Sequence, residues 1–103
     1  MRSRIVKRFA PGLEVIIQWA PHLKIWKFSG MSRRLMDEVK EGVFREHVTY
    51  LAQALEWASQ HPNANFMSLL PGTRYTNEQL HRFFSILHGQ FREIEAEILN
   101  EEK

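Results

Sequence analysis

The chain has 103 residues, 44% of them hydrophobic and 25% charged, with a formal net charge of +2 and no cysteine. This fits a single globular domain over 1–103, and the missing thiols exclude a disulfide scaffold, a cysteine zinc site and a thiol nucleophile. No apolar run approaches the roughly 18 residues of a membrane span, so the expectation is a small soluble domain of the cytoplasm.

The net charge conceals an asymmetry. Residues 1–34 carry eight basic side chains against Glu14 alone, a balance of +7, whereas 35–103 carry eleven acids and six bases, a balance of −5. Halves of opposite sign suit either self-association or a basic face that meets an anionic partner. The opening stretch MRSRIVKRFAPG is basic like a targeting peptide. Lys7, Arg8 and Pro11 interrupt the apolar run that a secretory signal needs, so it reads as part of the mature domain.

Phe9-Ala10-Pro11-Gly12-Leu13 recurs ten residues later as Trp19-Ala20-Pro21-His22-Leu23. The two copies read as turns between segments 3–9, 13–19 and 23–28. Their content of Ile, Val, Trp and Phe predicts three strands in an antiparallel meander. In the middle segment Leu13, Val15, Ile17 and Trp19 alternate with Glu14, Ile16 and Gln18. A competing all-α reading starts short helices at Pro11 and Pro21 and ends the second at Gly30. Seven residues are too few for periodicity to separate the two.

From Ser32 the period changes. Phe44, Val48, Leu51, Leu55 and Ala58 step by three and four, with Met36, Val39 and Val43 extending the stripe backwards. This predicts one amphipathic helix over 32–60, capped by Ser29 or Ser32 and ended by His61-Pro62, with a kink or close backbone approach at Gly42. In the connection 61–75, Phe66, Met67, Leu69 and Leu70 are expected to return to the core as one short helical turn. Thr76 and Gln79 have capping-box spacing, and Tyr75 and Leu80 hold the positions of a hydrophobic staple. A helix over 77–100 follows, with Leu80, Phe84, Leu87, Phe91, Ile94 and Ile98 on one face. The expected fold class is therefore α+β, a small three-stranded antiparallel meander followed by two long amphipathic helices.

Little in the chain resembles catalytic machinery. His81 and His88 lie seven apart, about 10 Å along a helix, and neither has a carboxylate or third histidine at the next turn. His22, His47 and His61 stand alone, so no metal is expected. Ser68, Ser85 and Thr73 lack a nucleophile motif, and Pro71-Gly72-Thr73 has too little glycine to cradle a phosphate. The acidic residues fall on solvated helix faces. The expectation is a protein that is not an enzyme, with no catalytic residue and no cofactor.

Two surfaces remain. Arg2, Arg4, Arg8, Lys24, Trp26 and Lys27 would set cations beside aromatics on the sheet, the chemistry of single-stranded nucleic-acid binders. On the last helix Phe83, Ile86 and Leu99 widen the apolar arc beyond one contact surface, and with Phe91, Ile94 and Ile98 they suggest a homodimer interface. Glu93, Glu95, Glu97, Glu101 and Glu102 crowd the end where the helix dipole disfavours anions. Docking against the Arg-rich third, of the same chain or of a symmetry mate, would relieve them. The function expected is a non-catalytic interaction or regulatory module, homodimeric and binding a protein partner; the alternative is nucleic-acid binding by the basic–aromatic face.

Overall fold

The structure is a computed structural model that describes residues 3–19, 24–42 and 45–101, and for Trp19 the backbone alone. Arg2, Ala20, Pro21, His22, Leu23, Val43, Phe44 and Glu102, which carry several of the expectations above, lie outside the described residues. The described residues hold four α-helices: α1 (Ala10–Trp19), α2 (Arg33–Glu41), α3 (Val48–Gln60) and α4 (Asn77–Glu101). Short 3₁₀ turns occupy Ile25–Lys27, Arg45–His47 and Phe66–Leu69. Among the described residues there is no strand, and helix accounts for 72% of them.

The α+β expectation is therefore corrected to an all-helical fold. The reason lies in which residues of the middle segment face inward. Leu13, Ile16 and Ile17 are buried, at helical spacing, while Val15 is 42% exposed. A strand would have buried Val15 and exposed Ile16; the apparent alternation was one reading of a sequence that also fits a period of 3.6. Pro11 is tolerated because it falls in the first turn, where its missing N–H has no intrahelical partner. The start of α1 at Ala10 agrees with the first short helix of the competing reading; the start of the second, at Pro21, lies outside the described residues.

The outer two segments also lack strand partners. Ser3 forms one isolated parallel bridge to Ala64, its N–H donating to Asn63 O at 2.8 Å and its carbonyl accepting from Asn65 N at 2.8 Å. The segment thus joins the 61–65 connection. In the third segment Ile25 and Phe28 are buried while Trp26 is exposed, the three-residue repeat of a 3₁₀ turn.

The long helix expected over 32–60 is two helices. Ser32 caps α2, its Oγ accepting from Leu35 N at 3.2 Å. Gly42 ends it in an extended conformation, φ −96° and ψ −155°. A Cβ there would lie 2.5 Å from the Glu38 carbonyl oxygen, so only glycine admits this approach. Met36 and Val39 before the break, and Val48, Leu51, Leu55 and Ala58 after it, are all buried. Val39 and Val48 are nine residues apart, about half a turn out of phase on one straight helix, so the interruption at Gly42 is what lets both face the core.

The C-terminal half matches its sequence grammar. Thr76 N donates to Gln79 Oε1 at 2.9 Å and Gln79 N to Thr76 Oγ1 at 3.1 Å, closing the capping box. α4 lies antiparallel to α3, with His81 near Ser59 at one end and Ile98 near Val48 at the other. Phe66, Phe83, Phe84 and Phe91 are almost wholly buried. Phe28 meets Phe83 edge-on at 4.8 Å between ring centres, and Phe84 lies 5.3 Å from Phe66. These aromatics form the centre on which α1, the 25–28 turn and the 66–69 turn converge.

Candidate functional site: a cationic tryptophan cleft

The 25–27 turn is anchored from three sides. Ile25 and Phe28 point into the core, Lys27 N donates to Lys24 O at 2.9 Å, and Arg82 Nη1 donates to Phe28 O at 2.6 Å. With its neighbours held, Trp26 has one direction left, outward, and it stays 46% exposed. Lys24 and Lys27 are three apart, so a 3₁₀ turn sets them on one side. Their ammonium groups lie 5.9 and 4.7 Å from the centre of the Trp26 ring, within cation–π range.

The facing wall comes from the approach to α4. Pro71-Gly72 forms a type II turn, closed by Thr73 N donating to Leu70 O at 3.0 Å, with Gly72 at φ +79°. This turn and the capping box place Leu70, Thr73, Arg74, Tyr75 and Gln79 across from Trp26, around an open cleft of about 440 Å³. Its polar wall is biased towards donors. Gln79 spends its amide oxygen on Thr76 N, and Thr73 Oγ1 accepts from Tyr75 N at 3.1 Å. The Gln79 amino group, the Thr73 hydroxyl proton and the Arg74 guanidinium supply donors.

Charge separates this cleft from the far end of α4. Among the described residues Lys24, Lys27 and Arg74 form no ion pair, whereas Arg33, Arg34, Lys40, Arg45 and Arg92 each meet a carboxylate. Arg33 reaches Glu97 at 2.5 Å and Asp37 at 2.9 Å; Lys40 reaches Glu101 at 2.5 Å. The Glu97 hydrogen bond raises the Arg33 pKa, and the Lys40 hydrogen bond holds the Glu101 carboxyl below its ordinary value. The acidic end of α4 thus docks on basic residues of its own chain.

Of the residues nominated for nucleic acid, Lys24, Trp26 and Lys27 come together. Arg4 instead lines a separate depression with Ser3, Glu14 and Asn65, and Arg8 lies over the Phe9 ring at 5.2 Å. Arg2 lies outside the described residues. Of the residues nominated for a dimer, Phe83, Phe91, Ile94 and Ile98 are buried within the chain, Ile86 is half-buried, and Leu99 is 54% exposed.

The wall residues Thr73, Arg74, Tyr75 and Gln79 were not nominated as ligands. The sequence shows a cation and an aromatic, Arg74 and Tyr75, between a Pro-Gly turn and a capping box, but nothing in it sets them opposite Trp26. Two histidines serve the scaffold. His81 Nε2 pairs with Ser59 O at 2.9 Å, and His61 Nδ1 with Trp57 O at 2.7 Å. Among the described residues no three His, Asp or Glu side chains converge as metal ligands, and no helix is long and apolar enough to cross a membrane. No family model, curated protein or solved structure matches the chain.

Proposed function

We propose that the protein is a non-catalytic binding module that engages an anionic partner through Trp26 and the cleft beside it. The observation that carries this reading is the cluster of three cations, Lys24, Lys27 and Arg74, without carboxylate partners among the described residues, around a half-exposed indole. Long cationic side chains in a folded protein usually find a counter-charge or dilute their field in solvent. Concentrating them beside an exposed aromatic raises the local affinity for anions. The cleft volume of about 440 Å³ falls within the roughly 300–1,000 Å³ typical of ligand sites. The protein partner or second copy expected from α4 has less support, because most of the side chains nominated for it already fill the chain's own core.

Salt elution from immobilised heparin, a polyanion without bases, tests the reading. Lys24→Glu with Lys27→Glu should elute at clearly lower salt than the parent. Arg33→Glu with Arg34→Glu changes net charge equally at the other end of the molecule and should elute close to it. Equal shifts for both pairs would mean that net charge governs retention and would defeat the proposal.

A further inference from the structure

Resting on that reading, we infer that the anionic partner is single-stranded nucleic acid, with one base stacked on Trp26 in the cleft and the adjoining phosphates held by Lys24, Lys27 and Arg74. Cations alone would accept any polyanion. The exposed indole adds a requirement for a flat apolar face, which a phosphate chain or an acidic side chain lacks and every nucleobase has. The donors of Thr73, Arg74 and Gln79 suit the carbonyl and ring-nitrogen acceptors of a base edge or the oxygens of a phosphate.

Shape narrows the choice further. A concave cleft receives a group that projects from its chain, and bases project where they are not locked in a duplex. A membrane surface fits less well: apart from Trp26, the large exposed apolar side chains among the described residues are Val6, Val15 and Leu99, none of which lines the cleft, and the cleft's own Leu70 and Tyr75 are half-buried in its wall. Lys24 and Lys27 beside the ring and Arg74 in the facing wall can reach the phosphates that flank a stacked base.

The test is fluorescence anisotropy of labelled single-stranded oligonucleotides, run beside the equivalent duplex, inorganic polyphosphate and vesicles containing an anionic phospholipid. The expected result is preferential single-strand binding, with a log–log salt slope of roughly −2 for three neutralised phosphates. Trp26→Ala should weaken it about tenfold or more, in keeping with the loss of one base–aromatic stack. Lys27→Gln should flatten the slope while leaving a tryptophan-dependent component, and circular dichroism melts of both variants should overlay the parent. Polyphosphate binding as tightly as the oligonucleotide, with Trp26→Ala inert, would overturn the stacked-base inference and leave the anionic reading standing. Vesicle binding without oligonucleotide binding would overturn it in favour of a membrane surface. No anionic probe binding at low salt would overturn both.

Discussion

The two ends of α4 use similar charged side chains differently. At its C-terminal end Arg33, Lys40 and Arg45 meet Glu97 and Glu101, so the field of the cations is spent inside the chain. At its N-terminal end Lys24, Lys27 and Arg74 surround Trp26 with no carboxylate partner among the described residues. The acids explain the difference. Glu93, Glu97 and Glu101 sit four apart on one face of α4, against which α2 packs, while the lining of the cleft contains no acid. Net charge would report both ends together and distinguish neither. The pairing of each cation is what separates a surface that holds the fold from one that can hold a partner.

The largest effect should come from severing the 62–66 segment from α4. Asn77, buried at the helix start, accepts from Phe66 N at 2.9 Å and donates to Pro62 O at 3.2 Å and Ala64 O at 2.8 Å. Asn77→Ala leaves a buried N–H and carbonyl unpaired and should cost about 3 kcal/mol. Urea denaturation measures it, and a loss under about 1 kcal/mol would mean that the 62–66 segment does not depend on this side chain. Binding at the cationic end should weaken with it.

At the other end, Ser32→Ala removes the α2 cap and should cost about 1 kcal/mol, with oligonucleotide affinity unchanged. A fall in affinity would show that the two ends are coupled and would break the comparison.

Acid should touch the paired end first. Hydrogen bonding to Lys40 and, secondarily, Arg45 lowers the Glu101 pKa. Its contribution is complete above the ordinary carboxylate value, about 4.3, and is lost as pH falls through the lower folded-state value. The difference in melting temperature between the parent and Glu101→Gln should therefore stay constant at neutral pH and vanish in strong acid. A difference that persists at the lowest pH would show that the carboxylate acts there through packing.

Smallest of all is the effect on stability of neutralising the free end. Lys27→Gln should leave unfolding within about 0.5 kcal/mol of the parent. A larger loss in a chemical melt would mean that Lys27 holds the turn rather than awaiting a ligand.

What was legible in the chain depended on local grammar. Thr76, Gln79 and the spacing from Leu80 to Ile98 specify α4 with information contained in α4 itself, so its boundaries were readable. Residues 13–17 offer no such redundancy. Leu13, Ile16 and Ile17 declare a helix only once Val15 is known to be outside, and that is settled by packing against α3. Gly42 was visible as an irregularity, but its extended backbone is a property of the turn as a whole. At the site, Lys24, Trp26 and Lys27 are close in sequence and group together from it, though on a 3₁₀ turn and not on the expected sheet. Arg74 and Tyr75 join them through the folding of a connection nearly fifty residues away, which no spacing rule reaches.

The Gln90 side chain has a consequence for the order of assembly. Its amide oxygen accepts from Met31 N at 2.7 Å and its amide nitrogen donates to Met31 O at 3.0 Å, across a separation of 59 residues. α3 and α4 are neighbours in sequence and can collapse as a hairpin after closing only the 61–76 connection, whereas the Met31 clamp needs α4 already in place as its template. Kinetically, the N-terminal third is then a late arrival. Shortening the buried Leu55 of α3 should chiefly slow refolding, and Gln90→Ala should chiefly hasten unfolding.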